Sequence, residues 1–172
     1  MRNAFKFLMA LLVTCLLMLV FRALAFTIYT VPDKSLEPQL LRGDRVMVNR
    51  WSYGLRTGGS SFFRYSRVMR RPVRKGDFIA FDNPDSLNSC VLLGRVCAVP
   101  GDTITAYGKA FVIPADCQLC EYAVRSHYLV HSAAGRSQLL VPERNIIGRA
   151  FVVVYNLDGY HLRRDRLLRP IP

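Results

Sequence analysis

Few side chains in this 172-residue sequence have the type and placement for covalent or proton-transfer chemistry. Ser35 sits in the stretch TVPDKSLEPQLLRGD, residues 30–44, only a few residues beyond a long apolar run. It is either an ordinary turn residue or a nucleophile held close to a membrane, and as a nucleophile it needs a base to take its proton. The histidines are His127, His131 and His161, each lone in strand-like sequence, where a histidine more often serves structure than acts as a base. Lys34 adjoins Ser35, but in an extended chain adjacent side chains point to opposite faces.

Five cysteines remain to be placed. Cys15 lies in the apolar run, and Cys90, Cys97, Cys117 and Cys120 are an even number that an oxidising compartment could pair. Cys117-Gln-Leu-Cys120 alone could be a tight disulfide, a redox pair or half a zinc site. A four-cysteine zinc site wants two such pairs, and Cys90-x6-Cys97 is too widely spaced for the second. Structural disulfides or free thiols are therefore expected, with no metal, and no phosphate-binding loop or other cofactor motif stands out.

The elements that must position these residues begin with the N-terminus. After Arg2 and Lys6, FLMALLVTCLLMLVF runs from Phe7 to Phe21 without charge; Arg22 interrupts it, and ALAFTIYTV resumes at Ala23. With Arg22 snorkelling, the run reaches the roughly 20 residues of a membrane span. The expected organisation is a cytoplasmic N-terminus at 1–6, a transmembrane anchor at 7–28, a β domain at 29–159 on the outer face, and a basic tail at 160–172. Cleavage after Ala23-Leu24-Ala25, a small-x-small site, is the rival reading.

Past the anchor there is little helical periodicity. Short apolar or alternating runs recur at 45–48, 77–81, 90–99, 103–107, 110–113, 127–130, 138–141 and 149–155, separated by Gly43-Asp44, Gly76-Asp77, Pro100-Gly101-Asp102 and similar turns. This predicts a mainly β fold, barrel-like or sandwiched, with one N-terminal helix. The stretch 55–77 reads as a solvated loop or as a basic-aromatic flap over lipid headgroups, with Phe62, Phe63 and Tyr65 dipping in. The tail reads as a short amphipathic helix or a disordered basic end. The net charge of +12, with twenty of the 24 basic residues Arg, suits a surface facing anionic headgroups. No nucleic-acid partner is expected, because the charges are interleaved with strands and form no recognition element.

Four segments stand in sequence: Ser35-Leu36-Glu37-Pro38 with Gly43-Asp44-Arg45; Lys75-Gly76-Asp77; Gly94-Arg95 through Pro100-Gly101-Asp102; and Val141-Pro142 through Gly148-Arg149. In order, in spacing and in the preceding anchor they resemble the bacterial type I signal peptidases. The resemblance implies an all-β catalytic domain on the outer face of the cytoplasmic membrane, where a serine nucleophile and a lysine base cut signal peptides from exported preproteins. It places the nucleophile at Ser35, the substrate-binding strand at Thr30, Val31, Pro32 and Asp33, the lysine position at Gly94, and a lysine-orienting hydroxyl at Ser132. Arg95, Pro100, Gly101, Asp102 and Arg136 keep the family's structural motif.

The sequence departs from that pattern where the chemistry is done. Glycine at 94 cannot accept a proton, and Arg95 cannot replace the lysine, because guanidinium stays charged. Many relatives have an oxyanion-stabilising serine at the position of Asp33, whose ionised carboxylate would instead repel developing negative charge. The acidic partner is missing at Ala134. His131, beside Ser132, is the best substitute base, ahead of His127 and Lys34. The expected function is a signal peptidase I-type serine endopeptidase acting on signal peptides at the membrane lipid surface; the alternative is a catalytically inactive homologue that binds preprotein or an active paralogue.

Overall fold

In a computed structural model of the protein, residues 2–57, 66–84, 90–106, 109–115, 126–133, 138–158 and 161–171 are described. The proposed flap residues Phe62, Phe63 and Tyr65, the pair Cys117 and Cys120, and Ala134 and Arg136 fall outside them. Helix α1 (Arg2–Ala25) leads directly into strand β1 (Phe26–Thr30). There follow β2 (Asp44–Asn49), β3 (Leu55–Thr57), β4 (Ser66–Val68), β5 (Phe78–Asp82), β6 (Val91–Ala98), β7 (Thr103–Ala106), β8 (Lys109–Val112), β9 (His127–Ser132), β10 (Gln138–Pro142), β11 (Ile146–Asp158), β12 (His161–Leu162) and β13 (Arg169–Pro170). The fold is mainly β, and each of the eight runs read as strands is one.

Helix α1 stops at Ala25, short of the expected anchor boundary at 28, because Phe26, Thr27 and Ile28 pair with Asn49, Val48 and Met47 of β2. β-Branched Thr27 and Ile28 fit a pleated ladder better than a helix. The α1 side chains described from Lys6 to Leu19 are all exposed, and the helix has no single apolar stripe. Among the described residues, no helix is long and apolar enough to cross a membrane.

The main sheet is antiparallel and runs β1-β2-β11-β5-β6-β9-β10, with β12 and β13 also pairing with β11; β3-β4 and β7-β8 form separate hairpins. Because successive strand residues face opposite sides, β5 builds two cores at once. Phe78 and Ala80 join Val31, Leu36, Leu40, Leu93 and Ala133 on one face. Ile79 and Phe81 join Tyr53, Val96, Val130 and Val141 on the other.

The three Gly-Asp pairs make one device used three times. Gly43, Gly76 and Gly101 have φ of 84°, 92° and 90°, where a side chain is disfavoured. In each, the following aspartate donates its N–H to the carbonyl three residues back, and its carboxylate accepts that same residue's N–H: Asp44 with Leu41, Asp77 with Arg74, Asp102 with Val99. These turns launch β2, β5 and β7.

Where an amphipathic helix or a disordered end was expected, the described residues of the tail form two short strands around one 3-10 turn, Arg164–Arg166. Leu157 and Asp158 pair with β12, Val152 and Val153 with β13, and Ile171 is buried in the first core. Arg166, only 2% exposed, pairs with the fully buried Asp44, and Asn156 Nδ2 donates to the same carboxylate. A charge buried this deeply persists only when paired, which ties the tail to the first Gly-Asp turn.

Candidate active site

Ser35 is carried by the connection from β1 to β2. Its base is closed by two hydrogen bonds, Val31 N–H to the Asp44 carbonyl (2.9 Å) and Gly43 N–H to the Val31 carbonyl (3.0 Å). Buried Leu36 and Leu40 pin it to the sheet, and Arg166 Nη2 holds it from below by donating to the Gln39 carbonyl at 3.1 Å. Ser35 is thus half-buried on a fastened turn, while Lys34 beside it points to solvent.

Two contacts define the serine. Its Oγ donates to Asp33 Oδ2 at 2.9 Å, and the other carboxylate oxygen of Asp33 accepts the Lys34 N–H at 2.6 Å. His131 Nε2 lies 3.2 Å from the Ser35 carbonyl oxygen. A carbonyl only accepts, so Nε2 carries the proton and donates. His131 therefore meets Ser35, but grips its backbone, and the nearest acceptor for the hydroxyl proton is Asp33. Asp33 is thus bonded to the Ser35 hydroxyl itself, as an acceptor.

The other predicted positions gather on neighbouring strands. Gly94 stands opposite Ser132, and Arg95 opposite His131, in the β6–β9 ladder. Ser132 is buried. Arg95 is exposed, with its guanidinium 5.9 Å from the Phe78 ring centroid, within cation–π range. A Cβ on Gly94 would lie 2.5 Å from Val130 Cγ1, 2.7 Å from the His131 carbonyl oxygen and 3.1 Å from Phe81. The place where a base would start is filled by the second core, including backbone that cannot swing aside.

Thr30 ends β1 opposite Arg45, and Val31 is buried. Among the described residues β1 has no neighbour on its outer side, so this edge can accept an added strand leading toward Ser35. Pro100, Gly101 and Asp102 form the third Gly-Asp turn, with Gly101 N–H donating to Ile113. His127 opens β9, four residues and roughly 13 Å of strand from His131. Asn83 Nδ2 donates to Cys90 Sγ at 3.8 Å, and Cys97 Sγ donates to the Arg95 carbonyl at 3.7 Å; seven residues apart along one extended segment, the two cysteines are too distant to bond each other. No cluster of metal-ligating groups occurs among the described residues.

Sequence reasoning missed the tail's part in the site. Arg166 and Asp44 are 122 positions apart; the available signals were a run of arginines and a turn aspartate.

Comparison with known proteins gives a consistent picture. The family described as "Signal peptidase, peptidase S26" matches residues 4–127. Signal peptidase I of Rickettsia typhi (strain ATCC VR-144 / Wilmington) is 32% identical over 91 residues, 50% of this chain and 34% of that protein. Signal peptidase I of Rickettsia akari (strain Hartford) is 30% identical over 97 residues, 54% of this chain and 36% of that protein. Signal peptidase I of Buchnera aphidicola subsp. Baizongia pistaciae (strain Bp) is 30% identical over 76 residues, 44% of this chain and 23% of that protein. The matched part thus spans about a third or less of these relatives' length. The family match over residues 4–127 covers well over half of the chain, which belongs to the signal peptidase family, peptidase S26.

Proposed function

We propose that the chain is a membrane-anchored serine endopeptidase of the signal peptidase I type, cutting signal peptides from exported preproteins with Ser35 as nucleophile and Asp33 as its proton acceptor. The observation that carries this reading is the 2.9 Å bond from Ser35 Oγ to Asp33 Oδ2, a nucleophile–base contact of the length such pairs use. The anchor reading rests on the sequence, the charge-free run from Phe7 to Phe21 continued past Arg22, which lies in α1; it goes beyond the described residues, among which no helix meets the length and apolarity of a span. With Arg2 and Lys6 held in the cytoplasm, the β domain lies on the outer face of the cytoplasmic membrane.

A preprotein strand added along β1 and residues Thr30 to Asp33 brings its scissile carbonyl over Ser35. Oγ attacks the carbonyl carbon while its proton passes to Asp33 Oδ2, so the carboxylate becomes neutral as the oxyanion forms. This removes the repulsion that an ionised Asp33 would impose. Asp33 then returns the proton to the leaving amine as the C–N bond breaks; a water next attacks the acyl-serine, giving its proton to Asp33, which passes it to Ser35 Oγ as the acyl C–Oγ bond breaks. His131 keeps the Ser35 carbonyl in place throughout. A carboxylate is a weaker base than a neutral lysine amine, so turnover is slow.

The test compares the purified full chain with Ser35→Ala on a signal-peptide substrate in detergent; equal turnover in both removes the proposal. One observation favours a second reading, a homologue that binds signal peptides or an active paralogue without cutting. It is the closed space at Gly94, which denies the site the family's base. Saturable binding of labelled signal peptide with no Ser35-dependent cleavage selects that reading.

A further inference from the structure

An open groove of about 890 Å³ lies on the second-core side of the sheet, away from Ser35. Trp51, Met69, Arg71, Arg74, Asp77 and Arg149 define it. Asp77 forms the floor: its carboxylate accepts the Tyr53 hydroxyl at 2.8 Å and the Arg74 N–H at 3.0 Å, and pairs with Arg149 Nε at 3.3 Å. Arg149 stays 41% exposed, and the side chains of Arg71 and Arg74 are exposed and pair with no carboxylate among the described residues. Three guanidinium groups against one carboxylate leave two positive charges uncompensated. Along the rim stand apolar groups in solvent, Met69 at 77% and Val68 at 52% exposure, with Trp51 at 37%.

The groove's position gives this mixture a meaning. Arg50 N–H donates to the carbonyl of Ala25, the last residue of α1, at 3.0 Å, and Asn49 and Trp51 on either side of Arg50 both line the groove. The groove therefore opens beside the end of the proposed anchor. A tryptophan and exposed aliphatics next to arginines suit the depth at which headgroups meet acyl chains.

We propose that this groove is a binding site for one anionic phospholipid, with the lipid phosphodiester between Arg71, Arg74 and Arg149 and its glycerol and upper acyl region against Trp51, Val68 and Met69. The proposal rests on the membrane-anchored reading. A resident lipid here would fix the height of the β domain over the bilayer, and with it the height of Ser35.

Trp51 is the chain's single tryptophan, so its fluorescence reports from the groove alone. The full chain in neutral detergent micelles is titrated with short-chain phosphatidylglycerol, short-chain phosphatidylcholine, and inorganic phosphate. The expected result is a saturable change in Trp51 emission with phosphatidylglycerol, at least about tenfold weaker with phosphatidylcholine. In Arg71→Gln/Arg74→Gln, apparent affinity falls about 10- to 30-fold with the melting temperature unchanged; the Arg74 bond to Asp77 comes from backbone and survives. Equal responses to both lipids, an unaltered response in the double variant, or no response to any lipid overturns the proposal. A response to phosphate matching that to phosphatidylglycerol overturns the lipid assignment. Carbonate extraction of membranes holding the chain tests the anchor separately: release of the protein would sink the anchored reading whatever the titration gives.

Discussion

The hydroxyl of Ser35 and the carboxylate of Asp33 stand 2.9 Å apart within a single turn, two residues from one another. Hydroxyl and acceptor are thus placed by one short backbone segment, with no partner needed from another strand. Asp33→Asn keeps an oxygen that can accept a hydrogen bond but cannot take a proton. Cleavage of a signal peptide by the full chain is expected to fall about 10²- to 10⁴-fold in this variant. An Asp33→Asn chain that cuts as fast as its parent would place the base elsewhere.

His131 is expected to act as a positioning residue. Its ring donates to the Ser35 carbonyl at 3.2 Å, and one such bond contributes about 0.5–1.5 kcal/mol. His131→Ala should then slow cleavage only about 2- to 12-fold, and His131→Gln, whose amide N–H can also donate, should recover part of the loss. If His131 were the base, alanine and glutamine would be equally poor, and each would lose the roughly 10²- to 10⁴-fold typical of a missing general base.

How far the site was legible follows from the range of each interaction. The strands and their Gly-Asp turns could be read because alternation and turn chemistry act over a few residues. That His131 comes to Ser35 was also readable, through the resemblance that singled out Ser132 beside it. Which atom of the serine it touches was not, since that depends on how the turn lies over the β6–β9 ladder. The closure at Gly94 was equally hidden: a glycine states that a side chain is missing, whereas Val130 and the His131 carbonyl, brought in by β9, show that its space is gone. The Asp44–Arg166 pair and the groove at Trp51 join segments that no local pattern connects.

Gly94 is expected to resist replacement. Any Cβ there approaches Val130 Cγ1 to 2.5 Å and the His131 carbonyl to 2.7 Å, and crowding of this kind costs about 1–3 kcal/mol. Gly94→Ala should lower stability by that amount in urea denaturation of the detergent-solubilised chain. Gly94→Lys should be at least as damaging and should not raise cleavage, even combined with Asp33→Ser. A stable, faster Gly94→Lys enzyme would mean that β9 moves aside readily.

The buried pair between Arg166 and Asp44 makes the tail essential to the Ser35 turn. Arg166→Met strands a carboxylate with 0% exposure, which costs about 3–5 kcal/mol. Arg166→Lys keeps a charge but loses the planar guanidinium whose Nη2 donates to both Asp44 and Gln39, so its stability should fall between. Denaturation midpoints of the three chains give the order; equal midpoints for Arg166→Met and the parent would show that the tail is dispensable.

Tyr53 carries the last prediction. Burial first, and then the negative charge of Asp77, push its hydroxyl above the ordinary tyrosine range, and burial acts in the same direction on Tyr29 and Tyr128. A group whose folded pKa is raised holds its proton more tightly when folded. Its contribution is fully present below the unfolded value of about 10 and is lost as pH climbs past it. The chain should therefore lose stability steeply above about pH 10. Tyr53→Phe removes a donor to Asp77, costing about 1.5–3 kcal/mol at neutral pH, yet its stability should decline less steeply above pH 10. Tyr29 and Tyr128 keep part of the slope, so denaturation series at successive pH values should show a shallower alkaline limb in the variant and not a flat one. Parallel limbs in the two chains would mean that Tyr53 ionises as easily folded as unfolded, against its place on Asp77.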